Sequence, residues 1–349
     1  MIVNVILENG MFDRIKGYGV LDFVVDNNNI WFICSYFNYL FCINHNSMKV
    51  TKAVRIPLGN AFCSRTTAML SLFIENESIY IIPYKSEGKV VRFDIKSNQM
   101  IIVDNQLRSA NWGDCKGEDK QNIYFTIKNN PTIVKVRKSD LKVEYISVHG
   151  LQKKYGFASI TCLEDGFVLN QTNTGNIICC DMNGRVEKII KQKPEGFQTK
   201  FNEMYQGHGI FNREKEIIIF PNHGNMILQI DVNNLIVSEA KGFIDCRELD
   251  NSQDISLFTC AKRVGNYILT YMNFSNEWIC FENNGAIKYR FKMEFDKDIV
   301  KKVEDNLFDR RDPQWLYQES DLITLKFFFE FIKNSASNNY KRYREEKQE

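Results

Sequence analysis

The sequence predicts an all-β fold of six similar four-stranded antiparallel units, followed by a short C-terminal α-helical tail. Three observations carry this prediction. A pattern of strands and turns recurs six times with a period of about 45 residues. The strands are rich in β-branched and aromatic residues, which strands favour. The pattern stops after Met293, where charged residues begin.

The most regular element of each unit is an apolar strand rich in Ile, Val, Trp, Tyr and Phe. The strand that follows it ends before a turn, as at Asn183-Gly184 and Asn284-Gly285. These turn residues tolerate left-handed backbone conformations or bond their own main chain, as tight hairpins require. Another strand follows each turn. The strand that precedes these three, the first of each unit, is predicted at residues 20–25, 68–74, 114–116, 158–163, 209–212 and 256–261.

This repeat resembles that of β-propellers, in which each four-stranded unit forms one blade of a ring. The segment Phe93-Asp94-Ile95-Lys96-Ser97 resembles the strand end F-D-x-x-[ST] of the general propeller repeat. The chain has neither the Gly-His and Trp-Asp pairing of WD40 repeats nor the Gly-Gly doublet of kelch repeats. The resemblance is therefore to the superfold and not to a specific family.

The resemblance implies a six-bladed β-propeller over residues 1–293, because blades in a ring bury the faces that a single blade exposes. A sandwich or a stack of small sheets is the alternative fold. Two modes of ring closure are open: residues 2–7 add a strand to the last blade, or residues 287–293 complete it alone. The predicted blades span residues 17–57, 62–104, 112–149, 155–193, 202–242 and 254–293.

Residues 294–349 are predicted to form a helical extension with a frayed end. Residues 296–305 are charged and helical in pattern, and Pro313 interrupts that pattern. Ser320 and Asp321 are suitable N-cap residues for a second helix over residues 322–333, which is apolar on nearly all sides. That helix packs against the flank of the propeller, or it docks a protein partner or a second copy of the chain.

The composition excludes several classes of partner. The chain has 45 basic and 43 acidic residues, without the strong basic excess that nucleic-acid-binding proteins usually carry. No apolar run approaches the ~18 residues of a membrane span, and residues 1–10 lack the features of a signal peptide. We therefore expect a cytoplasmic protein. No P-loop, dinucleotide-binding glycine pattern or zinc motif occurs, so the sequence predicts neither a cofactor nor a metal site.

A ligand is expected on one side of the ring, which we call the loop face. It is formed by the segment that leads into the first strand of each blade and by the loop between the second and third strands. Both are rich in aromatic and amide residues. The candidate ligand-binding residues are Arg65, Tyr84, Lys85, Trp112, Tyr155, Tyr205, Gln206, Asn222 and Tyr271.

Two histidines, His208 and His223, belong to the same predicted blade and the same face. Histidine serves as acid or base near neutral pH. Together with Asp114 they are the candidate catalytic residues. The alternative is that all three are hydrogen-bonded loop residues without a catalytic role.

Three functions are consistent with these observations. The first is a binding or scaffold protein that engages a protein, peptide or sugar on the loop face, since aromatic and amide side chains suit such ligands. The second is a lyase, cyclase or hydrolase with His208 or His223 as general base and Arg65 or Lys85 near an oxyanion. The third is a structural protein that assembles through residues 322–333.

Overall fold

A computed structural model shows a ring of six four-stranded antiparallel blades, which confirms the predicted fold class. In the described part of the chain, the first strands of neighbouring blades lie side by side around the axis at every boundary except that between blades 2 and 3. Among the described residues, no helix is long and apolar enough to cross a membrane. The structure describes residues 18–26, 29–35, 37–58, 69–113, 116–151, 155–172, 174–199, 207–212, 216–234, 236–249 and 257–307.

Within each blade the strands follow chain order from the axis outwards. Blades 1 to 3 consist of β1 (Val20–Asp26), β2 (Asn29–Cys34), β3 (Tyr39–Asn44), β4 (Lys49–Arg55), β5 (Met69–Glu75), β6 (Ser78–Pro83), β7 (Lys89–Asp94), β8 (Gln99–Asp104), β9 (Gly117–Glu118), β10 (Asn122–Ile127), β11 (Asn130–Arg137) and β12 (Val143–Ser147). Blades 4 to 6 consist of β13 (Phe157–Cys162), β14 (Gly166–Gln171), β15 (Ile177–Asp181), β16 (Val186–Ile190), β17 (Gly207–Asn212), β18 (Glu216–Pro221), β19 (Leu228–Asp231), β20 (Ile236–Glu239), β21 (Phe258–Val264), β22 (Tyr267–Met272), β23 (Glu277–Glu282) and β24 (Ile287–Lys292).

The described first strand of blade 3 begins just after residues 114–116, where the sequence predicts it; residues 114 and 115 lie outside the described residues. The strand β9 covers only Gly117 and Glu118. Upstream, Trp112 forms an isolated bridge with Ile127. At Gly113, an added Cβ would lie 2.0 Å from Thr126 Oγ1 and 2.8 Å from the Ala158 carbonyl oxygen, so the backbones of blades 3 and 4 approach too closely there for a larger residue.

The hydrophobic core lies between the blades. Each pair of neighbouring blades shares its own cluster of buried side chains. Blades 1 and 2 meet at Trp31 and Phe93, whose ring centroids are 5.2 Å apart. Blades 6 and 1 meet at Phe23 and Trp278, which pack edge to face at 5.2 Å. Every blade therefore depends on both neighbours to bury its faces.

All four described strands of blade 6 come from the continuous segment 258–292. Residues 2–7, which the first predicted mode of closure uses, lie outside the described residues, so the choice between the two modes stays a prediction. The short strand β25 (Glu294–Phe295) then pairs in parallel with Lys49 and Val50 at the start of β4. A similar parallel bridge joins His149, after β12, to Arg185, before β16. The seam between blades 6 and 1 thus uses a contact that blades 3 and 4 also make.

The helix α1 (Lys297–Leu307) follows β25 and covers blade 1, in agreement with the helix predicted at 296–305. Asp296 caps it, with its Oδ1 accepting a 3.0 Å hydrogen bond from the Asp298 amide. Ile299 and Val303 are buried in the aromatic cluster of blades 6 and 1. Lys302 Nζ donates to the Ala53 carbonyl at 2.9 Å. The second predicted helix, residues 322–333, lies outside the described residues and stays a prediction.

We expect Val303→Ala to lower the free energy of unfolding by about 2 kcal/mol, because it removes two buried methyl groups and leaves a cavity. Equilibrium urea denaturation measures this. Lys301→Ala, at an exposed position of the same helix, is the matched control and should leave the midpoint unchanged. Equal midpoints for both variants would show that α1 does not stabilise the ring.

Candidate functional site

Hydrogen bonds between successive blades build the loop face. The Trp112 Nε1 donates to the Tyr84 carbonyl at 2.8 Å, which joins blade 3 to blade 2. The Thr172 hydroxyl donates to the Lys128 carbonyl at 2.8 Å, which joins blade 4 to blade 3. At the seam, the Gly19 amide donates to Asn273 Oδ1 at 2.7 Å. Part of the polar content of these loops therefore holds the blades together.

A bulge interrupts the first strand of four blades at its loop-face end. The register shifts lie between Val20 and Asp22 in β1, Met69 and Ser71 in β5, Phe157 and Ser159 in β13, and Phe258 and Cys260 in β21. The equivalent pairing of β17 is regular. Bulges bend a strand and redirect its side chains, and they are frequent beside functional sites. The mouth of the channel is therefore shaped by repeated irregular backbone.

Four uncharged polar atoms near this mouth are buried without a hydrogen-bond partner among the described residues. They belong to four consecutive blades and lie near the loop-face ends of β10, β14, β18 and β21. Buried polar groups are nearly always satisfied in native proteins, so each of these atoms is a candidate position for a further hydrogen bond. The four atoms are Thr126 Oγ1, Asn170 Oδ1, Asn222 Oδ1 and Thr259 Oγ1.

The predicted ligand-binding residues separate into groups. Trp112 and Tyr271 are 1% and 0% exposed, and they pack in the core. The Tyr271 hydroxyl donates to Asn276 Oδ1 at 2.6 Å. Tyr84, Tyr155 and Asn222 are half-buried, and Lys85 is exposed. The structure thus leaves the side chains of Tyr84, Tyr155, Asn222 and Lys85 accessible on the loop face, whereas Arg65, Tyr205 and Gln206 lie outside the described residues.

The two candidate histidines share one end of blade 5. The register of β17 with β18 places His208 opposite Phe220, and His223 follows β18 by two residues. The side chain of His223 is half-buried; for His208 only the backbone is described. Asp114 lies outside the described residues. Among those described, no group of three His, Cys, Asp or Glu side chains could hold a metal ion.

Lys193 is a further cation on this face. It is half-buried, and its Nζ donates to the Gly175 carbonyl in the loop between the second and third strands of blade 4. Burial lowers the pKa of Lys193 to about 8. A fraction of this amine is therefore neutral at slightly alkaline pH.

Around the axis, a cluster of charged side chains joins blades 6, 1, 2 and 3; these residues are not among those predicted from the sequence. Asp22 on β1 is its centre. Its carboxylate accepts bonds from the Ser71 hydroxyl at 2.7 Å and the Leu72 amide at 2.8 Å, and it lies 2.7 Å from Lys262 Nζ and 3.4 Å from Lys116 Nζ. Asp22 and Lys262 each interrupt an apolar strand pattern, and that signal was available in the sequence.

The cluster continues into blade 3 through Glu118. This carboxylate lies 3.1 Å from Lys116 Nζ and 2.7 Å from Lys138 Nζ. Lys138 also donates to the Asp119 carbonyl at 2.8 Å. The cluster therefore crosses three blade boundaries through direct ion pairs and hydrogen bonds.

The lysines of the cluster hold the carboxylates of Asp22 and Glu118 ionised, whereas burial lowers the pKa of Lys262. Burial acts to raise the pKa of Asp22, but Lys116, Lys262 and the Leu72 amide hold it well below its ordinary range. Burial likewise opposes ionisation of Glu118, yet Lys116 and its neighbouring lysines lower its pKa from 4.5 to about 2. Groups with such values do not exchange protons near neutral pH, as a general acid or base must. The cluster is a structural clamp around the axis.

Comparisons with known proteins establish the fold alone. No protein-family model and no curated protein matches the sequence significantly. A streptogramin B lyase structure superposes with a TM-score of 0.52 at 13% identity, covering 81% of this chain and 85% of that one. The structure of virginiamycin B lyase from Staphylococcus aureus superposes with a TM-score of 0.52 at 13% sequence identity, covering 80% of this chain and 86% of that one. A chain of a nidogen/laminin complex superposes with a TM-score of 0.50 at 11% sequence identity, covering 76% of this chain and 94% of that one.

We expect Asp22→Asn to lower the free energy of unfolding at pH 7 by about 3–5 kcal/mol, because it removes the carboxylate paired with Lys262 and leaves Lys116 with Glu118 as its remaining counter-charge. The folded pKa of Asp22 lies below the unfolded value. Its contribution is therefore present above about pH 4 and is lost as pH falls further. Urea denaturation from pH 7 to pH 2 should show a steeper loss for the wild type than for Asp22→Asn. Equal slopes would contradict the clamp; Glu164→Gln, at an exposed hairpin, is the control.

Proposed function

We propose that the protein is a binding module that holds an uncharged polar segment of a partner at the channel mouth of the loop face. The supporting observation is the set of buried polar atoms without a described partner: Thr126 Oγ1, Asn170 Oδ1, Asn222 Oδ1 and Thr259 Oγ1. A ligand that bonds such atoms gains their hydrogen bonds without the cost of desolvating a charge.

The chemistry of this surface favours a peptide. Hydroxyl and amide groups bond peptide N–H and C=O groups, and Tyr84 and Tyr155 offer half-buried rings for stacking. Lys85 adds an exposed cation at the rim. A sugar uses the same combination of rings and amides and is the second ligand class to test. A chain of similar fold occurs in the nidogen/laminin complex, which is consistent with a propeller that binds a protein.

The test is a screen of the full chain against a displayed random-peptide library and, in parallel, a glycan array. We expect peptides that bind the wild type and lose at least tenfold in affinity with Tyr84→Ala or Tyr155→Ala, as interface aromatic residues do. Tyr145→Ala is the matched control, since Tyr145 is 58% exposed on the outer strand β12, away from the loop face.

Each outcome of the screen decides the proposal. Equal affinity of wild type and both loop-face variants for every peptide would refute it. Binders found only on the glycan array, and weakened by the same variants, would assign the surface to a sugar. Near-ultraviolet circular dichroism of each variant establishes that the fold is retained.

A second candidate function is an enzyme with a histidine base on blade 5. Two observations favour it: His208 and His223 lie at the same end of that blade, and two of the propellers with similar fold are lyases. His223 would abstract the proton, and Lys193 or Lys85 would face the developing negative charge.

We expect His223→Ala to remove turnover if this second function holds. The measurement is mass spectrometry of a mixture of small metabolites and cyclic and linear peptides incubated with the protein. His149→Ala is the control, because His149 is exposed at the boundary of blades 3 and 4. Product formation at the wild-type rate by the double variant His208→Ala/His223→Ala would exclude a histidine base.

A further inference from the structure

The outer strand of blade 2, β8 (Gln99–Asp104), has a free edge with which no described residue pairs. Its register with β7 is continuous over all six residues, without a bulge. Its side chains are exposed or half-buried along the whole strand. A long, regular and uncovered edge is a template for pairing with another strand, and native proteins normally protect such edges.

The other outer strands carry such protection in the described part of the chain. β25 pairs with β4. β12 carries Glu144, which is paired with Lys135 at 3.2 Å. β16 contains a register shift and two charged residues, and β20 has only four residues. β24 contains a register shift and three basic residues. From Gln99 to Val103, β8 has no charge, no proline and no bulge.

The side chains of β8 add apolar surface on both sides of its sheet. Ile101 and Ile102 are 44% and 45% exposed. Consecutive residues of a strand point to opposite faces, so a strand paired with β8 would cover one isoleucine on each face. Such coverage buries apolar area in addition to forming the backbone hydrogen bonds.

We propose that β8 pairs with β8 of a second copy of this chain, antiparallel about a two-fold axis at Ile101. In an antiparallel ladder, residues opposite each other both direct their backbone groups toward the partner or both away from it. Adjacent residues of one strand direct their backbone groups to opposite sides. Two identical strands can therefore pair about a two-fold axis that passes through a residue, but not about one that passes between two residues. An axis at Ile101 places Met100 opposite the partner's Ile102 and Gln99 opposite the partner's Val103. An axis at Ile102 instead opposes Met100 to the carboxylate of the partner's Asp104.

The charges of the outer strands indicate that β8, and not β24, can pair with its own copy. In β24, the basic residues Lys288, Arg290 and Lys292 alternate along the strand. A two-fold axis at Arg290 would place Arg290 opposite the partner's Arg290. An axis at Tyr289 would place Arg290 opposite the partner's Lys288. Like charges directly opposite destabilise a sheet. β8 contains only neutral residues at the paired positions, so its self-pairing meets no such repulsion.

Light scattering coupled to size exclusion, over a concentration series of the full chain, tests the proposal. We expect twice the 40.9 kDa of the chain at high concentration, falling toward 40.9 kDa on dilution. Ile101→Lys and Ile101→Glu should each be monomeric, because each places two like charges at the axis. An equimolar mixture of the two should dimerise again, since lysine then faces glutamate.

Ile287→Lys on β24 is the matched control, because Ile287 is also 44% exposed on an outer strand. It should dimerise like the wild type. A wild type that stays monomeric at all concentrations would overturn the proposal. So would a dimer that survives in Ile101→Lys, or a mixture of the two Ile101 variants that stays monomeric.

Discussion

The burial of two apolar faces per blade is the constraint on which the rest of the structure depends. Each sheet exposes hydrophobic side chains on both sides, and only a neighbour on each side removes them from water. The ring satisfies this requirement for all blades at once, provided that its last boundary closes. The aromatic cluster of Phe23, Phe32, Phe41 and Trp278 occupies that boundary, and α1 covers its outer side.

At the axis, the blades are held together by charged side chains as well as by apolar packing. First strands from neighbouring blades approach closely there, and side chains that face each other must be compatible. Asp22 receives donors from blades 6, 2 and 3, so one carboxylate fixes the relative position of four blades. The loop face, in contrast, retains polar atoms that the described protein does not satisfy. Ion pairs thus hold the blades together at the axis, whereas the polar atoms without a described partner lie at the loop face. Many binding proteins likewise carry their site on loops that a rigid scaffold positions.

Much of the fold could be predicted from the sequence, because strand and turn patterns are local. The turns after the third strands and the helix before residue 307 follow from residues within a few positions. The strand β9 has only two residues, Gly117 and Glu118, and neither carries the apolar pattern that identifies the other strands. The placement of the site on the loop face stays a prediction. Trp112 and Tyr271 have ligand-binding side chains by type, but tertiary packing buries both. Asp22 has neighbours from three other blades, and no local pattern identifies them.

The pairing of β25 with β4 also determines when the ring can close during synthesis. Val50 and Phe295 are separated by about 245 residues of chain. A ribosome that adds ~5–20 residues per second needs roughly 10–50 s to produce that separation. Throughout this interval the face of blade 1 that carries Phe23 and Phe32 lacks Trp278 and Val303. Nascent chains therefore present an uncovered aromatic surface near their N-terminal end, a surface of the kind that chaperones hold until translation delivers the last blade.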